Sequence, residues 1–140
     1  MKKALFVCIH NSARSQMAEA YLNLLGKNQF IAESAGLEPG KLNPFVVKAM
    51  QLDGIDISGN DTKSVDDILK AGKTYDLVVT VCDEASAERC PVFPGGGKKL
   101  HWGFPDPSSF QGSEEERLQK TIEVRNMIRH KIESFLKEQH

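Results

Sequence analysis

The chain predicts a single α/β domain built on an open, parallel, four-stranded sheet with helices on both faces. Three observations carry that expectation. Short apolar or β-branched runs alternate with helix-like segments along the whole length. The clearest run, Tyr75–Val81, is nearly continuous in apolar residues, as a strand buried on both faces must be. The 140 residues contain no repeat, low-complexity tract or linker, so residues 1–140 fit one domain with one core.

The elements follow in order. Lys3–Val7 reads as the first strand, and Ser15–Leu25 as a helix with Gly26 placed to end it. Phe30–Ser34 reads as a second strand, closed by Ala35 and Gly36. Asn43 and Pro44, as cap and first residue, open a helix that runs to Leu52. Ser64–Ala71 is a short helix ended at Gly72, and Tyr75–Val81 is the third strand. Asp83–Arg89 holds good helix formers with two acids in its first turn. Pro91–Gly97 is a loop, Lys98–Trp102 a short fourth strand, and Phe104–Gly112 a second loop. Ser113 then caps a long terminal helix, with Glu116 completing a capping box. On that helix Leu118, Ile122, Ile128, Ile132 and Phe135 form one apolar stripe for packing against the sheet.

Composition narrows the function. With 18 basic and 19 acidic residues the net charge is −1, so no global field recruits nucleic acid or an anionic membrane, and any anion site must be local. The Lys2-Lys3 start and the apolar run behind it are too brief for a signal peptide, and no stretch approaches membrane-span length. Three cysteines without a C-x-x-C pair suit reduced thiols in the cytoplasm rather than a disulfide framework, and a monomer is the separate expectation. His10, His101, His130 and His140 are scattered, and none stands at a ligand spacing from Cys82 or Cys90, so no metal is expected.

The chemistry concentrates at Cys8-Ile9-His10-Asn11-Ser12-Ala13-Arg14-Ser15, between the first strand and the first helix. A cysteine at a strand end, five residues, and an arginine at a helix start describe a loop that can wrap a tetrahedral oxyanion. Its backbone N–H groups point inward, and the helix start adds partial positive charge. Arg14 supplies a planar fork that grips two oxyanion oxygens at once. The same field favours the thiolate form of Cys8. Asn11 and Ser12 tolerate tight turns, and Ser15 either caps the helix or donates its hydroxyl to Cys8.

Two further features stand beyond that loop. Cys82 follows the third strand and Cys90 comes eight residues later. A fully helical link would separate their Cα atoms by ~12 Å, whereas a disulfide needs them within about 7 Å. The pair bonds only if the segment unwinds or was never helical; two unrelated buried cysteines is the plainer alternative. Beside a nucleophilic third thiol, a thiol relay is the better reading. Asp106, stiffened between Pro105 and Pro107, could protonate an oxygen leaving group if it lies over the anion loop, or could simply belong to a turn. His101-Trp102 suggests core packing only.

These residues together resemble the thioredoxin-coupled arsenate reductases, which share the fold of the low-molecular-weight protein tyrosine phosphatases. The resemblance rests on Phe6-Val7-Cys8, Asn11-Ser12, Arg14-Ser15-Gln16-Met17-Ala18-Glu19, Ser34-Ala35-Gly36, Asp76-Leu77-Val78-Val79-Thr80, Cys82, and His101-Trp102-Gly103-Phe104 before Asp106-Pro107. It implies Cys8 as nucleophile, Arg14 as oxyanion ligand within the loop His10-Asn11-Ser12-Ala13-Arg14, Ser15 as thiolate stabiliser and Asp106 as general acid. It implies Cys82 and Cys90 as a redox relay, arsenate as substrate and thioredoxin as reductant. His10 stands where the family has glycine, and its side chain must then point outward. The Cys82–Cys90 spacing is one residue longer than the common one. Some relatives hold a potassium ion near this loop; Asn11, Glu19 and Ser34 match that site, but Ser64 replaces its acidic member, so no cofactor is expected. The rivals are a phosphatase using Cys8, Arg14 and Asp106, and an oxyanion-binding module or thiol sensor without turnover. Against the phosphatase, Ser108 stands where the resembling phosphatases present a tyrosine.

Overall fold

A computed structural model of the chain describes residues 1–82 and 97–139. Cys90, the Asp83–Arg89 segment and all of the 91–97 loop except Gly97 lie outside the described residues. In chain order the elements are β1 (Lys2–Cys8), α1 (Arg14–Leu25), β2 (Phe30–Gly36), α2 (Pro44–Leu52), α3 (Val65–Lys70), β3 (Leu77–Thr80), β4 (Lys98–His101), a 3-10 turn at Pro107–Ser109, and α4 (Glu114–Glu138). The four strands form one sheet in the order β2-β1-β3-β4, with every pairing parallel. This is the expected α/β architecture. The order reverses around β1, so the crevice beyond its carboxyl end is where such a sheet binds ligands.

The pleat divides the core. Ala4, Phe6 and Cys8 point to one face, where Met17, Tyr21 and Leu22 of α1, Val46 and Met50 of α2, and Ile128, Ile132 and Phe135 of α4 cover them. Leu5 and Val7 point to the other, where they meet Val65 and Ile68 of α3 with Ala35, Tyr75 and Val78. β2 is an edge strand, and the Asn23 amide blunts it by donating to Ala32 O and accepting from Ala32 N.

Several boundaries differ from the sequence expectation. β2 runs on to Gly36 because it pairs along all of β1, ending with Cys8 opposite Gly36. β3 starts at Leu77 rather than Tyr75. Asp76 still joins the ladder through Asp76 N to Lys3 O and Lys98 N to Asp76 O. Ser64 and Asn43 cap α3 and α2 with their side chains. On α4 the buried stripe takes Thr121 and Val124 in place of Leu118 and Ile122, which are only half-buried. Thr121 can be buried because its hydroxyl donates to Arg117 O at 2.7 Å. Among the described residues no helix is long and apolar enough to cross a membrane.

Candidate active site

The loop from Cys8 to Arg14 leaves the end of β1 and enters α1. Its carbonyls are tied outward one after another. Leu37 N donates to Cys8 O, Glu38 N to Ile9 O, Gly40 N to His10 O and Asn43 N to Ser12 O, while the buried Gln16 amide donates to Asn11 O. In a planar trans peptide the C=O and the next N–H point in opposite directions. Holding these five carbonyls outward therefore turns the N–H groups of residues 9–13 toward the concave side. Asn11 N shows the direction, donating to Cys8 Sγ at 3.1 Å. Asn11 itself adopts a left-handed backbone, φ 54°, the bend that closes such a nest. α1 starts at Arg14 on Ala13, with no side-chain cap and no acid in its first turn, so its own N–H groups remain suited to an anion.

The loop sits against Gly36. A Cβ there would lie 2.7 Å from Asn11 N and 2.8 Å from both His10 C and Ile9 O, all backbone atoms. Only glycine at the end of β2 lets the loop curl this tightly.

Cys8 is buried, a free thiol, and its sulfur accepts from two sides. The Asn11 side chain fixes the hydrogen positions. Its Oδ1 accepts from Lys63 N at 2.9 Å, and a backbone N–H can only donate, so Nδ2 is the atom facing Ser15 Oγ at 2.8 Å. Ser15 Oγ thus accepts from Asn11 and turns its own hydrogen to Cys8 Sγ, 2.9 Å away. Of the two roles open to Ser15, the thiol contact is the one realised. Two donors aimed at one sulfur suit a thiolate.

Arg14 is 3% exposed. One guanidinium nitrogen donates to Phe104 O at 3.1 Å, and the other lies 3.7 Å from Asp106 Oδ2. Asp106 therefore stands over the loop, from the segment that follows β4. Its other oxygen, Oδ1, accepts from Ser108 N at 3.0 Å, which aims Oδ2 at the site. His10 is exposed; Nδ1 donates to Glu38 O, a carbonyl that can only accept. Ser12 and Ala13 are buried within the loop.

Cys82 lies just past β3, next to the end of β1, where Val81 N donates to Val7 O. It is fully buried and disulfide-bonded. Trp102 joins the core, but His101 does not: it is exposed and bonds Thr80 Oγ1 through Nδ1 at 2.7 Å.

The residues that the resemblance relates to a potassium ion bond to neighbours within the fold. Asn11 Oδ1 accepts from Lys63 N and Gln16 Nε2, and Ser64 Oγ accepts from Asp67 N. Ser34 Oγ donates to Glu19 Oε1, and the Lys63 ammonium lies 3.9 Å from the same oxygen. Burial pushes the Glu19 carboxyl up, opposed by Lys63. Among the described residues, Lys63 is the positive charge beside this set.

Sequence reasoning missed Gln16, Gly36, Asn43 and Lys63 as parts of the site. Gly36, Asn43 and Lys63 act through their backbones across the fold, which no local spacing announces, and Gln16 acts through its side-chain amide on Asn11.

The chain matches the family described as low molecular weight phosphotyrosine protein phosphatase over residues 3–140. The arsenate reductase of Bacillus subtilis (strain 168) is 44% identical over 131 residues, covering 93% of this chain and 91% of that protein. A solved structure described as an arsenate reductase in the phosphate binding state superposes with a TM-score of 0.78 at 29% identity, covering 99% of this chain and 98% of the other. The thioredoxin-dependent arsenate reductase of Corynebacterium glutamicum superposes with a TM-score of 0.59 at 26% identity, over 95% of this chain and 62% of that one.

Proposed function

This chain belongs to the low molecular weight phosphotyrosine protein phosphatase family, and we propose that within it the protein is an arsenate reductase that works by a three-cysteine relay regenerated by thioredoxin. Arsenate enters the nest of N–H groups and takes the Arg14 fork. The Cys8 thiolate attacks arsenic, an S–As bond forms, and an oxygen leaves with a proton delivered from Asp106 Oδ2. The thiolate of Cys82 then attacks Cys8 Sγ. A Cys8–Cys82 disulfide forms as the S–As bond breaks, and its electron pair stays on arsenic, which departs as arsenite. Cys90 attacks Cys82, freeing Cys8 and leaving a Cys82–Cys90 disulfide. The dithiol of thioredoxin reduces that bond and is itself oxidised.

The observation that supports this reading most is the unequal state of the cysteines at the carboxyl end of the two central strands. Cys8 is a free thiol between two donors, while Cys82, at the end of the neighbouring strand, is disulfide-bonded. A phosphatase needs only the first. The thioredoxin-dependent relative adds support for the reductant.

The test is arsenate-dependent oxidation of NADPH with thioredoxin and thioredoxin reductase present. Wild type should turn over repeatedly. Cys82→Ser and Cys90→Ser should each lose multiple turnover by about a hundredfold or more, while hydrolysis of a small phosphate ester, which uses only the loop and Asp106, stays within about twofold. Cys90→Ser should release one arsenite per chain and stall as a Cys8–Cys82 disulfide, visible by peptide mapping. Wild-type turnover of arsenate by both variants would end the relay reading.

A further inference from the structure

Asp106 reaches the anion loop from a distant part of the chain, and Asn43 is what joins the two. Its backbone N–H donates to Ser12 O of the loop at 2.9 Å. Its side-chain oxygen caps α2 by accepting from Phe45 N at 2.8 Å. Its side-chain nitrogen is then left for Ser108, donating to Oγ at 3.1 Å. Ser108 N in turn donates to Asp106 Oδ1, and Asp106 Oδ2 faces Arg14. The chain of contacts is closed: anion loop, Asn43, Ser108, Asp106, and back to Arg14. Ser109 Oγ, donating to Asp106 O at 2.7 Å, tightens the same turn.

Each link constrains a different freedom. The Ser108 N–H sets the rotation of the Asp106 carboxyl, so only Oδ2 is presented to the site. The Asn43 amide fixes how far the Asp106 turn stands from the loop. Asn43 is itself fixed twice over, by the loop carbonyl and by the helix cap, and it is nearly buried. Proton delivery to a leaving oxygen requires heavy atoms within about 2.6–3.2 Å, and an acid displaced by ~1 Å loses much of its effect. A group that sets this height is therefore tied to the chemical step and not to the affinity of the loop.

We infer that Asn43 and Ser108 form a clasp that positions the Asp106 carboxyl over the bound oxyanion, Asn43 being the positioning residue and Ser108 its partner. The inference rests on the reading of Asp106 as the proton donor. It accounts for an asparagine, rather than any other capping residue, at the start of α2. Serine or aspartate would cap that helix as well, but neither offers a side-chain N–H to the neighbouring turn.

Rapid-quench measurement of arsenite released in a single turnover of the reduced protein, at several arsenate concentrations, reads the chemical rate and the half-saturation separately. Ser108→Ala removes one exposed hydroxyl and leaves the backbone N–H to Asp106 in place. Its maximal rate should fall about fivefold to tenfold with half-saturation within about twofold. Ser108→Thr, which keeps the hydroxyl, should restore the rate. Asn43→Ser, which keeps a capping oxygen but cannot reach Ser108, should match Ser108→Ala. In an Asp106→Asn background, itself slow, Ser108→Ala should cause no further loss, because the clasp has nothing left to position. A wild-type rate for Ser108→Ala, or an equal fall in the Asp106→Asn background, overturns the clasp while leaving Asp106 as the acid. If Asp106→Asn alone runs at the wild-type rate, the acid reading falls and the clasp with it. Were wild type to release no arsenite, the arsenate reading would fall, and hydrolysis of a small phosphate ester by the same variants would decide the clasp.

Discussion

Two polar networks meet α1, a buried one at its start and a partly exposed one at Tyr21, and they are built on opposite plans. Around Cys8, donors converge on one sulfur from Asn11 N and Ser15 Oγ, and Arg14 at the end of the same loop faces Asp106. Around Asp53, a carboxylate closes its own circuit. Tyr21 Oη donates to Asp53 Oδ2 at 2.6 Å, and Arg129 donates to the same oxygen at 2.7 Å while lying over the Tyr21 ring. That second cluster fastens α1, the end of α2 and α4 together. A network closed on its own carboxylate is spent on stability, whereas one whose backbone N–H groups line a concave loop is suited to an anion from outside.

The largest effect that separates the two is the loss of the sulfur. Cys8→Ser should abolish arsenate reduction, by about a thousandfold or more, since a hydroxyl is a poor nucleophile at neutral pH. Thermal unfolding should shift by about 1 kcal/mol or less, because serine keeps the shape and can still meet Asn11 and Ser15. Measurable turnover by a folded Cys8→Ser protein would remove Cys8 from the nucleophile role. The next effect crosses the boundary between the two plans. Gly36→Ala places a methyl group against the loop backbone at His10 and Asn11. Neither is a flexible side-chain end, so the loop must shift. Urea unfolding should show a loss of about 1–3 kcal/mol, and oxyanion affinity should fall together with the rate. An alanine variant with normal stability and affinity would mean that the loop does not depend on this contact.

How legible each network was in the sequence follows from how local it is. Cys8, Arg14 and Ser15 announce themselves, because a strand, a loop and a helix start place them together within eight residues. Asp106 was legible as a stiff carboxylate, but its meeting with Arg14 depends on the loop that returns after β4. The outward ties from Leu37, Glu38, Gly40 and Asn43 were not legible at all. They are backbone bonds between a loop and the segment after β2, and backbone bonds leave no side-chain signature. Gly36 looked like a strand terminator for the same reason. The α4 stripe was read correctly in its last three turns, where Ile128, Ile132 and Phe135 are apolar and buried. It was misread at the start, where a threonine bonded to its own helix is buried and Ile122 is not. The Asp53 cluster was invisible, since Tyr21, Asp53 and Arg129 come from three separate elements.

That cluster yields the smallest of the expected effects and the one with a defined pH dependence. The Asp53 carboxyl is held below its usual range, chiefly by the Tyr21 hydroxyl and then by Arg129, against some cost of burial. The Tyr21 hydroxyl is pushed upward by burial and by Asp53, so it stays protonated throughout. Because the folded carboxyl binds its proton less readily than the unfolded one, the contribution of Asp53 to stability is complete above the ordinary carboxylate range. It is lost as pH falls through the lower folded value. Tyr21→Phe removes the largest of the lowering causes and one hydrogen bond, at a cost of about 1 kcal/mol near neutrality. The Arg129–Asp53 pair, partly exposed, should persist and add little. Chemical denaturation of wild type and variant from pH 7 downward should show a gap that is widest near neutrality and narrows below about pH 4. Arsenate turnover at pH 7 should stay within about twofold of wild type, since nothing in this cluster touches the anion loop. A gap that widened on acidification would mean that Tyr21 acts through the core and not through Asp53. A large loss of turnover in a stably folded Tyr21→Phe protein would mean that the two networks communicate through α1, and the division between them would have to be redrawn.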